Sequence, residues 1–293
     1  MIEFSIFSTP KPFIGEFKII QNNAIKSWLN LKPKPNNIFL LGNEDGVKEM
    51  CKKFEVKQIP SIKKNNYGSP LLNDLFEKIN SYNQSAITIY INADIVLIDS
   101  SFNLLLKKIK NKFSKFLIIG RRYELRINKF VNKKGFKKIS NIIKHKNDFF
   151  LKGFSWIDYF IFNNKLFNEN EIPPFAIGRT FWDKWLVGYA LKNNIPVINA
   201  SEIIKAIHQS HSFNFKKNWL GEEAWNNFKL AGGIKHLYHI DDANFYITKD
   251  LILKKYKISL KKIILNFLFK SIIGNLPIKI QFLLIKIKRI LIK

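Results

Sequence analysis

Few residues in this 293-residue chain carry acid–base or ligand chemistry, because acids are scarce: 22 Asp and Glu stand against 49 Lys and Arg. Asp94 leaves the β-branched run 86–91 through Asn92 and Ala93. A carboxylate at the carboxyl end of a buried strand sits in the crevice where open α/β sheets bind ligands; otherwise it caps a turn. His208 and His211 are two of only 5 histidines. Neutral imidazole can hold a metal, and histidines at bends also serve as ordinary hydrogen-bonding groups. Asp183 opens an amphipathic segment just after Gly178-Arg179-Thr180. Carboxylates serve general acid–base chemistry, and an acid in a first turn also complements the helix dipole.

Regular elements must position these groups. Short apolar runs predict strands over 2–7, 37–41, 56–59 and 86–91. Between them, helices are predicted over 17–31, 46–54 and 71–82, the first stopping before Pro33 and Pro35. Leu71, Leu72, Leu75, Phe76 and Ile79 form one face of the third helix. Strand alternating with helix is the pattern of a mostly parallel sheet with helices packed on it, an α/β fold. Downstream, a helix is predicted over 104–112, a strand over 116–119 and an apolar run over 156–162. A helix over 181–192 then carries Trp182, Trp185, Leu186 and Tyr189, and a late strand spans 196–200. The segment Ile207-His208-Gln209-Ser210-His211 follows that strand. No internal repeat is evident.

Several pieces together resemble the GT-A glycosyltransferases of the family 2 type. Ser8-Thr9-Pro10 after the first strand resembles their first nucleotide-binding loop. Asn43-Glu44-Asp45-Gly46 after the second strand resembles the acidic turn near the base. Asn65-Asn66-Tyr67-Gly68, then a helix, then the strand reaching Asn92-Ala93-Asp94, resembles the Asn-x-Gly turn and Asp-x-Asp motif. The resemblance covers residues 1–100 well and 170–212 loosely. It implies a Rossmann-like transferase domain with a donor half at 1–100 and an acceptor half at 101–248; a boundary is placed after Thr248, where the chain changes character and is nearly devoid of acids. It implies donor contacts from Thr9, Pro10, Glu44, Asn65, Gly68, Asn92 and Asp94. It also implies a divalent cation, Mn²⁺ or Mg²⁺, held on the donor diphosphate by Asp94 with His208 or His211. Asp183 matches the general base that deprotonates the acceptor hydroxyl, though without the neighbouring acid of the family pattern; Trp156 and Asp158 are further acceptor-side candidates. Asn92 departs from the pattern by bringing no charge to the motif's first position. The expected activity is transfer of a sugar from a nucleotide-sugar donor to a glycan or lipid-linked acceptor, as in polysaccharide biosynthesis. A GT-A relative that binds a nucleotide sugar without turnover is the alternative.

With 46% hydrophobic residues the chain can bury a sizeable core, which excludes bulk disorder. Its single cysteine, Cys51, allows no intrachain disulfide. No secretory signal opens the sequence, and no apolar run approaches the roughly 20 residues needed to span a bilayer. A cytoplasmic protein is expected. The net charge of +27 is partly the Lys-rich composition itself, but it concentrates at 107–146 and in a tail at 249–293. In that tail Lys262, Asn266 and Lys270 form one stripe, and Lys279, Lys286, Arg289 and Lys293 sit among Ile and Leu. Basic amphipathic helices of this kind lie on anionic membrane surfaces, so peripheral association with the inner face of a membrane is expected; the alternatives are a pair of helices packed on the catalytic domain, or a strand at the Ile-Lys-Ile alternation. A nucleic-acid-binding protein is a rival reading of the charge, but no nucleic-acid motif supports it. A sugar-1-phosphate nucleotidylyltransferase is disfavoured because Ser8-Thr9-Pro10-Lys11-Pro12 is not the Gly-rich loop those enzymes carry.

Overall fold

The structure is a computed structural model that describes residues 2–98, 101–145, 151–211, 220–256, 264 and 268–291. Its first half runs β1 (Phe4–Ser8), α1 (Gly15–Leu29), β2 (Asn37–Leu41), α2 (Val47–Phe54), β3 (Lys57–Ile59), α3 (Leu72–Tyr82), β4 (Ile87–Ile91), β5 (Ile95–Ile98) and α4 (Phe102–Lys112). It continues with β6 (Leu117–Ile119), β7 (Arg122–Leu125), α5 (Lys133–His145), β8 (Tyr159–Asn163), α6 (Trp182–Lys192), β9 (Val197–Asn199) and β10 (Lys205–Gln209). The last elements are α7 (Glu222–Leu230), β11 (Phe245–Ile247), β12 (Leu253–Lys255) and α8 (Ile278–Leu291).

Among the described residues, nine strands form one sheet in the order β12-β11-β9-β6-β8-β4-β1-β2-β3. β8 runs antiparallel to β4 and β6, and β12 runs antiparallel to β11. The other neighbouring strands pair in parallel, giving the mostly parallel α/β sheet expected from the alternating elements. Both faces of the inner strands are covered, so β1, β4 and β6 are buried on both sides, while the edge strands β3 and β12 carry exposed lysines. Alternate residues of β1 serve different layers: Phe7 joins Phe76, Tyr90 and Trp182, while Phe4 and Ile6 join Trp28, Phe102 and Leu105. From β1 the chain builds outward to β2 and β3, then returns to set β4 on the other side of β1. The crevice at that reversal, beyond the carboxyl ends of β1 and β4, is where such sheets take ligands.

A second sheet, β5-β10-β7, stands next to this crevice. α5 covers it through Phe136, Ile139 and Ile143, which pack on Val96, Tyr123 and Ile207. Trp28 of α1 anchors it from the other side by donating its indole N–H to the Ile95 carbonyl at 2.9 Å.

The sequence places a boundary after Thr248, but the chain beyond it continues to pack on the domain. β12 pairs with β11 on the main sheet. In α8, Phe282 is buried against Trp225, Phe228 and Phe181 at ring separations of 5.0, 5.4 and 6.2 Å. Gln281 donates to the carbonyls of Gly274 and Leu276 and accepts from the Ile234 amide. Lys262, Asn266 and Lys293 lie outside the described residues. No helix among the described residues is long and apolar enough to cross a membrane.

Candidate active site

β4 ends at Ile91, and Asn92–Asp94 turns the chain into β5, with the Ile95 amide donating to the Asn92 carbonyl at 3.1 Å. Ser8 fixes the parallel strand end by donating its hydroxyl to the Ile91 carbonyl at 2.6 Å. Thr9 hydrogen-bonds the buried Tyr90 hydroxyl, and buried Pro10 follows it. The Tyr90 hydroxyl donates to Asn92 Oδ1 at 3.0 Å, while Asn92 Nδ2 donates to Asp158 Oδ1 at 2.8 Å. Asn92 therefore spends its amide on two neighbours. The carboxylate missing at position 92 is present at Asp158, one hydrogen bond away. Arg122 donates to the other oxygen of Asp158 at 2.8 Å and lies over the Trp156 ring.

His208 reaches Asp94 because β10 runs antiparallel to β5, pairing His208 with Ile95. His208 thus sits on a strand, and His211 lies two residues past its end. His208 Nε2 stands 3.3 Å and His211 Nε2 3.7 Å from Asp94 Oδ2. One ligand atom from each of the three residues lies within 4.8 Å of the others. Asp94 Oδ1 and His208 Nδ1 are buried and have no hydrogen-bond partner among the described residues. Burial opposes the charge on Asp94, but His208, His211 and Arg122 together outweigh it and hold the carboxyl well below the usual range. Burial likewise opposes a proton on His208, and the facing Asp94 carboxylate outweighs it, raising the imidazole. Buried Gln209 locks this arrangement by donating to the carbonyls of Ile20 and Asp94 and accepting from Asn23.

Asp183 arrives from the other half of the chain. Phe181, buried with a left-handed backbone at φ 87°, turns the chain into α6; a bulky residue adopts that conformation only under tertiary constraint. Trp182 then docks edge-on against Tyr90, with ring centroids 5.3 Å apart. This brings Asp183 into the field of Asp158, and the charges of Asp94, Asp158 and Asp183 all act on the Tyr90 hydroxyl. Burial pushes the Asp183 carboxyl up to about 6, against the pull of Lys184.

The other predicted donor residues line the same edge of the sheet. Glu44, after β2, pairs with Lys64 at 2.7 Å. Asn65 Oδ1 accepts the amides of Tyr67 and Ser69, closing the turn in which Gly68 takes φ 79°. Its Nδ2 donates to Glu223 at 2.9 Å, and Glu223 in turn receives Arg179 at 2.6 Å. Glu223 thus joins the Asn65 turn to the approach of α6, a link the sequence reading missed although Glu222-Glu223 is conspicuous in an acid-poor chain. Lys11 was missed as well. Gln21 grips its backbone, and its ammonium lies over Phe17 within the field of Asp94 and Arg179. Burial is the main cause that lowers its pKa.

No protein-family model matches the chain, and no curated protein does. Solved structures do match. S. aureus TarS residues 1–349 shares 11% identity at a TM-score of 0.50, over 79% of this chain and 64% of that one. The same protein with UDP-GlcNAc shares 13% identity at a TM-score of 0.50, over 79% and 66%. Glucosyl-3-phosphoglycerate synthase from Mycobacterium tuberculosis, with Mn²⁺, UDP and phosphoglyceric acid, overlaps 88% of each chain at 11% identity and a TM-score of 0.48, too loosely to bear on function. The chain spans just under two thirds of the TarS fragment. At these identities the likeness is one of fold alone: the chain has a GT-A-like fold.

Proposed function

We propose that this chain is a glycosyltransferase that moves a sugar from a nucleoside-diphosphate donor to an acceptor hydroxyl. The observation that carries this reading is the grouping of Asp94, His208 and His211 at the β1–β4 reversal, with Asp183 brought in from α6. The donor would lie along the carboxyl edge of the sheet, past Thr9, Pro10, Glu44, Asn65 and Gly68. TarS has been solved with UDP-GlcNAc and with UDP, which supports UDP-sugars as the first donors to try.

The residues fit a divalent cation. Asp94 Oδ1 is buried without a hydrogen-bond partner among the described residues, and two imidazoles face the same carboxylate. Mixed oxygen and nitrogen ligands suit Mn²⁺ better than Mg²⁺, which favours oxygen alone. Such a cation, when bound, neutralises charge on the departing diphosphate. Lys11 stands where it adds positive charge to that same region. Asp183 accepts the proton of the acceptor hydroxyl as that oxygen attacks the anomeric carbon. The bond to the nucleoside diphosphate breaks in the same displacement, and a carboxyl raised to about 6 is well matched to this work near neutral pH. Asp158, held by Arg122 and Asn92, keeps the floor of the site polar and fixed.

The acceptor in this reading is a glycan or a lipid-linked sugar, and the protein works in the cytoplasm against a membrane. Support comes from α8, where Ile280, Leu283 and Ile287 are exposed beside exposed Lys279, Lys286 and Lys288, with Ile272 exposed just before the helix. An apolar stripe flanked by lysines complements an anionic lipid surface.

A panel of UDP-, GDP- and dTDP-sugars, each with Mn²⁺, tests the activity by thermal stabilisation and by release of free nucleoside diphosphate. One donor should raise the melting temperature and be consumed when acceptor glycans are added. Stabilisation with no consumption under any acceptor would favour a binding protein, and no response to any donor would contradict the assignment.

A further inference from the structure

Arg121 and Arg122 are adjacent in sequence but serve opposite sides of β7. Arg122 turns to Asp158. Arg121 turns away, with Tyr123 on the same side, as strand alternation requires. Its Nε donates to the Lys152 carbonyl at 2.6 Å, and its guanidinium lies 4.6 Å from the Phe154 ring centroid. The guanidinium is thus held in place.

Beyond it lies a cavity outside the carboxyl ends of β6, β9 and β11, lined by Arg121, Ser201, Lys205, Tyr246, Lys249 and Tyr256 among others. Three cationic residues, Arg121, Lys205 and Lys249, border it. Among the described lining residues Glu202 is the single acid, and it already accepts the Lys249 amide at 3.2 Å. Lys205 donates to the Tyr123 hydroxyl at 3.0 Å, which orients its ammonium. The walls are aromatic. Tyr246 and Tyr256 pack with ring centroids 4.7 Å apart, and Asn199 donates to the Tyr256 hydroxyl at 2.9 Å.

We propose that this cavity is a second anion site, separate from the Asp94 group, that binds the phosphate of a small phosphorylated molecule through Arg121, Lys205 and Lys249. A fixed guanidinium fork beside two ammonium groups suits a phosphate dianion better than a single carboxylate. The aromatic walls give the remainder of the ligand an apolar face to lie on. The chemistry is independent of whether the Asp94 group turns over a donor.

The test titrates inorganic phosphate and glucose 6-phosphate into the full chain, with a chelator present and ionic strength fixed. Variants are Lys249→Ala, Lys205→Met and Asp94→Ala. A double variant of the exposed α8 lysines, Lys286→Ala with Lys288→Ala, removes charge elsewhere. Wild type should show saturable binding, weakened about tenfold or more in the two cavity variants. Asp94→Ala and the α8 variant should bind as wild type does, and Lys249→Ala, being exposed, should keep the wild-type melting temperature. Tighter binding of glucose 6-phosphate assigns the site to a sugar phosphate, and equal binding assigns it to phosphate itself. Absent saturation, loss in Asp94→Ala, or equal weakening in the α8 variant would overturn the proposal.

Discussion

His208 Nε2 stands 3.3 Å from Asp94 Oδ2 because antiparallel pairing of β10 with β5 sets the histidine opposite Ile95, one residue past the carboxylate. The contact joins residues 114 apart in sequence through a strand register, and a buried glutamine on the same strand locks it. If the pair holds a cation, His208→Ala should weaken Mn²⁺ binding by more than the roughly 10–100-fold that even outer-shell partners contribute. Electron paramagnetic resonance of titrated Mn²⁺ reads this directly. Unchanged affinity would remove His208 from the ligand set.

Asp183→Asn should lower transfer by about 10²–10⁴-fold while donor affinity stays near the wild-type value. The rate should climb as pH rises through about 6, the value to which burial raises this carboxyl, because the base must be ionised. A flat profile between pH 5 and 7, or a large loss of donor affinity in the variant, would contradict the base role.

The same shift has a stability consequence of definite sign. The folded carboxyl sits at about 6 against an ordinary value of 3.8, so the folded state holds its proton more tightly than the unfolded state. The contribution of Asp183 to stability is therefore fully present below about 4 and declines as pH rises through about 6. Denaturation curves over this range should decline less steeply with pH in Asp183→Asn than in wild type. Identical slopes would show that the residue does not titrate as the burial requires.

Arg122 and Asp158 are both buried and pair at 2.8 Å. Removing one partner leaves the other charge without its counter-ion, which typically costs about 3–5 kcal/mol. Arg122→Met should therefore lower stability substantially in urea denaturation. The double change Arg122→Met with Asp158→Asn should recover part of the loss. A single variant as stable as wild type would mean that solvent reaches the pair.

Much of the architecture is legible in the sequence. The strands β1, β2 and β4 are short, mostly apolar runs, and α3 shows its apolar face in Leu72, Leu75, Phe76 and Ile79, so sequence and structure agree on these elements within a few residues. The second sheet is not. Arg122-Tyr123-Glu124-Leu125 and Lys205-Ala206-Ile207-His208-Gln209 are short and polar in part, and they are strands because they pair with each other and with β5. Asp94 was legible from its place after β4. The bond from Asn92 to Asp158 was not, because that depends on β8 lying antiparallel beside β4. Glu223 and Lys11 gain significance only from tertiary neighbours.

The two sides of α8 should respond differently to substitution. Phe282 faces the domain and Leu283 and Ile287 face outward. Phe282→Ala should cost about 3–5 kcal/mol of stability, as large core truncations do. Leu283→Ser with Ile287→Ser should leave stability near wild type while reducing co-sedimentation with anionic vesicles. Wild-type binding should weaken at high salt without vanishing, since only the lysine contribution is screened. Vesicle binding that ignores the double substitution would refute a membrane role for this face, and concentration-dependent dimerisation lost in the same variant would assign the face to a second copy of the chain.

The central claim is a nucleotide-sugar site built on Asp94, and calorimetric titration of the donor selected by the panel tests it most directly. Binding should be saturable in Mn²⁺, at least about tenfold weaker in chelator, and unresponsive to Mn²⁺ in a folded Asp94→Ala variant. Donor binding of equal strength with metal, with chelator and in Asp94→Ala would contradict it.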